Sequence, residues 1–191
     1  MSSIIRADTI QDLSGNNIIN ESGNTITIGA SGDTTNIVGT LQNNGASVGG
    51  DNTPAFYVTS NSANSLTSGA YSKVNFDTEQ VDTDSAYDTS SYRFTVPSGE
   101  GGKYWISASW GADSGNDTDK ISVFIKKNNS SFLFGMTAVN KAYNSTNVSG
   151  MAVLSAGDYI EVFAYQDSGT TYNINTDGTF TFFMGYKLIG V

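Results

Sequence analysis

Hydrophobic and polar positions alternate along most of the chain beyond residue 54, and the clearest alternation spans 87–110. Tyr92, Phe94 and Val96 interleave with Ser91, Arg93 and Thr95, which predicts a strand with one buried face that ends at Pro97. Ser98, Gly99, Glu100, Gly101 and Gly102 supply a turn, and Tyr104, Ile106, Ala108 and Trp110 then resume the period of two. The same period predicts strands at Phe56 and Val58, at Tyr71, Val74 and Phe76, and at Ile121, Val123 and Ile125. Phe132, Phe134 and Met136 follow a turn at Asn128-Asn129-Ser130, and 148–154, 160–165 and 180–188 complete the set. Eight to ten short strands with no helical pattern between them predict an all-β sandwich of two sheets.

Some late strands are apolar on both faces. Tyr159, Phe163 and Tyr165 lie opposite Ile160, Val162 and Ala164, and Phe183 lies opposite Phe180, Phe182 and Met184. Large apolar patches are rare on monomers, so Tyr159, Phe163, Tyr165 and Phe183 are expected at an interface between copies of the chain.

The first fifty residues follow another rule. Ser14-Gly15-Asn16, Ser22-Gly23-Asn24 and Ser31-Gly32-Asp33 recur at a nearly constant interval, each before a short β-branched run such as Ile26-Thr27-Ile28. Such strands cannot cover their own Ile-rich face in one copy, and three chains wound about a common axis would do so. Residues 41–53 are Gly-rich and weakly periodic and read as a linker. The expected division is therefore 1–53 as an extended segment and 54–191 as a head.

Composition narrows the chemistry. The 191 residues, 38% of them hydrophobic, suffice for one core and hardly for two. A net charge of −9, with nine Lys and Arg against eighteen carboxylates, disfavours a surface that tracks nucleic-acid phosphates. Cysteine and histidine are both absent, which removes disulfides, thiolate or imidazole metal sites, and Ser-His-Asp or Cys-His catalysis. No apolar run is long enough to insert in a membrane, and Met1-Ser2-Ser3-Ile4-Ile5-Arg6 lacks the apolar core of a signal peptide, so export by that route is not expected.

Paired carboxylates could cleave a glycosidic bond only across a cleft, and here they fall mainly in turn-like stretches. No catalytic residue and no cofactor is expected. Asp113, Asp117 and Asp119 offer hard oxygens suited to calcium, but their spacing is not that of an EF-hand and a solvated turn accounts for them. Asp82, Asp84 and Asp88 read the same way. Tyr143 and Tyr172, flanked by Asn, Ser and Thr, are the candidates for a surface that meets a glycan or protein receptor.

Tyr87, Phe94-Thr95-Val96-Pro97 and Gly102-Lys103-Tyr104-Trp105-Ile106 resemble the signature of the C1q/tumour-necrosis-factor-like family, an aromatic followed by Phe-Thr-x-Pro and Gly-x-Tyr-x-Phe. Val74-Asn75-Phe76-Asp77, Leu154-Ser155-Ala156-Gly157-Asp158 and Phe183-Met184-Gly185-Tyr186-Lys187-Leu188 match in the same order, although Ile106 stands where the family has Phe. The resemblance implies a jelly-roll head that trimerises about its apolar faces, acts as a binding module and in some members holds calcium at the trimer apex. The stretch from Ile4 to Leu13 resembles the N-termini of short fibre and appendage proteins of marine phages, which implies virion attachment through Ile4, Ile5, Ile10 and Leu13. The expectation is a non-enzymatic, homotrimeric virion protein, assembled in the host cytoplasm, that binds other virion proteins through its N-terminal segment. It is a tail-fibre or fibre-tip knob for host attachment, or else a capsid decoration, cement or head-fibre protein. A bacterial C1q-like adhesin is the further alternative and would need an export signal.

Overall fold

The computed structural model describes residues 37–39, 41–43, 46–47, 52–113, 120–138 and 145–189. The chain divides into two units, Met1–Ser47 and Val48–Val191. In the first, β1 (Gln42–Asn43) and β2 (Ala46–Ser47) form a two-stranded antiparallel hairpin, so part of the stretch read as a linker carries ladder pairing. Ile4, Ile5, Ile10 and Leu13 and the Ser-Gly repeats lie outside the described residues.

The second unit holds β3 (Ala55–Thr59), β4 (Ser65–Leu66), β5 (Ser72–Lys73), β6 (Thr78–Asp82), β7 (Tyr87–Asp88) and β8 (Arg93–Thr95). The longer strands follow: β9 (Gly102–Gly111), β10 (Lys120–Lys127), β11 (Ser130–Ala138), β12 (Ser145–Leu154) and β13 (Tyr159–Gln166). β14 (Tyr172–Asn173) and β15 (Phe182–Lys187) end the series. One sheet runs β11-β10-β13-β8-β7 with β5 also on β13, and the other runs β12-β9-β15-β3-β6. All pairings are antiparallel, and no helix occurs among the described residues.

The alternation decides what lies between the sheets. Tyr104, Ile106, Ala108 and Trp110 of β9 face Ile121, Val123 and Ile125 of β10 and Ile160, Val162 and Ala164 of β13, all fully buried. Trp110 satisfies its one donor by giving the indole N–H to the Ser122 carbonyl at 2.8 Å. Phe56 centres an aromatic cluster, 4.5 Å from the Phe94 ring, 4.8 Å from Phe183 and 5.9 Å from Tyr87. Tyr87 and Tyr104 reach the edges of the core, where their hydroxyls donate to the carbonyls of Phe76 and Glu100. Burial holds both phenols well above the ordinary range, with nearby carboxylates adding to the effect.

Two sequence expectations change here. The alternation places Ser91 and Tyr92 within the strand, but Tyr92 sits at φ 50° in a turn and β8 begins at Arg93. The alternation predicts Phe183 at an interface between copies, but it is 0% exposed within the single chain, packed on Phe56 and Phe76. β15 turns Phe183 inward because its cross-strand partners on that face are Ala108 and Val58, both buried. Phe182 and Met184 take the outward side.

Candidate interaction surfaces

Each sheet has one face in the core and one outside, and the two outer faces differ in charge. On the five-stranded sheet, Trp105 pairs with Met151 and Tyr186. The next outward row is Ser149, Ser107, Met184, Tyr57 and Val81, and the third is Asn147, Ser109, Phe182, Thr59 and Thr78. None of these side chains is charged. Met151 is 62% exposed and Val153 72%, while Lys103, cross-strand from Val153, marks the rim. Tyr57, Phe182 and Met184 also line a groove of about 410 Å³ with Gly178 and Thr179.

The outer face of the six-stranded sheet is aromatic and cationic. Phe134, Phe124 and Phe163 form one row across β11, β10 and β13 and end beside Lys73 of β5. Tyr71 packs against Phe124 and Tyr165 with ring centroids 5.0 and 5.2 Å apart. Cations sit over three of the rings: Lys126 over Phe163 at 3.8 Å, Arg93 over Tyr159 at 4.3 Å and Lys120 over Tyr165 at 5.8 Å. Glu161, 5% exposed, is the buried carboxylate of this face and accepts from Lys73 at 2.5 Å and Arg93 at 3.1 Å, while Asp88, cross-strand from Arg93, and Asp167, 3.6 Å from Lys120, lie at its edges. Lys73 also donates to the Ser91 carbonyl. Tyr159, Phe163 and Tyr165 thus share one outward face as the alternation implied, but they share it with charges and Phe183 is not among them.

Tyr172 does not lie at the surface either. Expected at a receptor surface, it is 5% exposed, because β14 pairs it with the fully buried Leu66 of β4 and the ring closes one end of the core. Polar neighbours in sequence did not reveal this, since the covering residues come from a strand far away in the chain. Tyr143 lies outside the described residues, as do Asp117 and Asp119.

Asp82 and Asp88, two of the other calcium candidates, are engaged in turns. Asp82 accepts from the backbone N–H groups of Ala86 and Tyr87. Asp88 accepts from Ser90 and Ser91, which pull its carboxyl far below the usual range. Asp113, the described member of the set with Asp117 and Asp119, uses its backbone N–H to bond the Asn173 carbonyl. Among the described residues no group of three or more acidic side chains is placed to hold a metal ion.

The comparisons agree with this architecture. The globular domain of zebrafish complement 1qA protein superposes with a TM-score of 0.51 at 15% identity, covering 71% of this chain and 97% of that one. Murine APRIL at pH 5.0 gives 0.56 at 14% identity, covering 70% and 98%, and Eiger TNF from S. frugiperda gives 0.57 at 14%, covering 72% and 93%. At such identities the likeness is one of fold: an all-β jelly roll of the C1q and tumour-necrosis-factor type. No protein-family model and no curated protein matches the sequence.

Proposed function

We propose that the chain is a non-enzymatic, homotrimeric structural protein of a bacteriophage particle, a fibre or fibre-tip knob that presents its jelly-roll head to the host surface. The outer face of the five-stranded sheet carries this reading: its register rows hold no charged side chain, and Trp105, Val81, Met151 and Val153 stand exposed on it, large apolar side chains that a free surface seldom gathers on one face. Trp105, Met151 and Met184 would form the contact between copies. That moves the interface away from Tyr159, Phe163 and Tyr165, because burying their face in a trimer would also desolvate Lys126 and Arg93. Attachment to the particle falls to the N-terminal residues, Ile4, Ile5, Ile10 and Leu13 included, whose repeats and phage-like wording support it. An unpaired strand gains partners by intertwining with sister chains or by adding to a neighbour's sheet.

The test is to add the full chain and a form lacking residues 1–50 to particles devoid of the protein. The full chain should attach and the shortened form should remain free. Equal attachment would place the docking surface on the jelly roll and overturn this division. Gold labelling of intact particles then separates a fibre tip from a capsid decoration.

A further inference from the structure

We infer that the aromatic and cationic face of the six-stranded sheet is a binding site for an anionic polysaccharide, one with carboxylate-bearing sugar rings. The inference deepens the host-surface role proposed above and rests on it. Tyr71 is 60% exposed and Phe134 52%, and both abut Phe124, so several rings lie side by side on an open sheet. Adjacent strands are about 4.8 Å apart, which makes the Phe134-Phe124-Phe163 row a strip about 10 Å long, the span of roughly two sugar rings. A sugar ring has an apolar C–H face that settles on such a strip and a hydroxyl rim that the Tyr71 and Tyr165 hydroxyls can meet.

Charge selects among occupants. In a chain of net charge −9, Lys73, Arg93, Lys120 and Lys126 gather on this one face. Glu161 is committed to Lys73 and Arg93, and Lys120 lies 3.6 Å from Asp167. Lys126 makes no ion pair among the described residues and keeps its ammonium over Phe163. Glu161 stands cross-strand from Lys126, but that carboxylate is held by Lys73 and Arg93, which leaves the Lys126 ammonium to an incoming anion at the aromatic strip. Screening within about 8 Å at physiological salt keeps the chain's distant carboxylates from repelling the ligand.

The full chain would be titrated with hexagalacturonate, its methyl ester and hexaglutamate, followed by calorimetry. Hexagalacturonate should bind saturably, and the uncharged ester and the ringless hexaglutamate should each bind at least tenfold more weakly. Lys126→Gln and Tyr71→Ser, both at the surface, should each weaken hexagalacturonate at least tenfold with melting and sedimentation unchanged. Absence of saturable binding, equal binding of hexaglutamate or of the ester, or binding indifferent to both variants would overturn the site. Sedimentation and particle attachment do not depend on the sugar, so failure here with those intact removes this surface and leaves the assembly reading standing.

Discussion

At the residue scale, the tightest constraint lies where the two sheets meet at their edges. A Cβ on Gly135 would sit 2.2 Å from the Asn147 carbonyl oxygen and 3.1 Å from a Val123 methyl, so β11 can pass β12 only with no side chain there. Gly135→Ala should cost about 3 kcal/mol, since one partner is backbone and cannot rotate away. Denaturant midpoints of the two proteins check this, and equal midpoints would mean the edge is free to shift. Asp158 is a second such residue. The Lys127 ammonium at 2.8 Å, the Ser155 N–H at 2.8 Å and the Asn128 amide at 2.7 Å hold its carboxyl down at about 2. The folded value lies below the free value of 3.8, so the stabilisation is complete above that value and fades as pH falls toward about 2. Asp158→Asn should therefore melt lower than the parent at neutral pH and approach it near pH 2. A gap independent of pH would show that the ionised carboxylate is not its source.

At the scale of elements, β5 and β8 are the weakly tied strands. β8 pairs with β13 at two positions and β5 at another two; Val74 adds a bond to the Val162 carbonyl, and Val96, just past β8, exchanges bonds with Asp158 and Gly157. Glu161 lies between them, and its ion pairs with Lys73 and Arg93 join all three strands across the gap. Glu161→Gln should cost about 1–3 kcal/mol, less than for a fully buried pair because Lys73 and Arg93 keep some solvent. A double-mutant cycle with Lys73→Met should show coupling, and additive losses would show that the pair contributes nothing beyond packing. Period-two reading places Glu161 on an outward, solvated face. It is buried because its two cations arrive from β5 and β8, which are remote in the chain and close only after folding.

For the whole molecule, the two outer faces differ in charge, and the trimer contact proposed above uses the uncharged one. Sedimentation of the full chain should give three times 20.2 kDa, and Met151→Lys combined with Met184→Lys should reduce it toward a monomer. Phe163→Ser on the opposite sheet should leave the assembly intact. The reverse pattern would put the interface back on Tyr159, Phe163 and Tyr165. A partially apolar face is not enough to decide between these surfaces. Both sheets expose large hydrophobic side chains, and only the cations distinguish them.

Alternation alone determined the sandwich and the inward set Tyr104, Ile106, Ala108 and Trp110, because a strand's side-chain period is local and survives any choice of partner. It also placed Tyr159, Phe163 and Tyr165 on one side of β13 and Ile160, Val162 and Ala164 on the other. For β15, apolar on both sides, the pattern could not say which side was core. Pairing with Ala108 and Val58 turned Phe183 inward and Met184 outward. Tyr172 was likewise decided by a strand it cannot foresee from its neighbours, Leu66 of β4. The charge of each outer face is also a tertiary fact: Lys73, Arg93 and Lys126 are scattered in sequence, and the order of strands in the sheet gathers them onto one surface while leaving the other neutral.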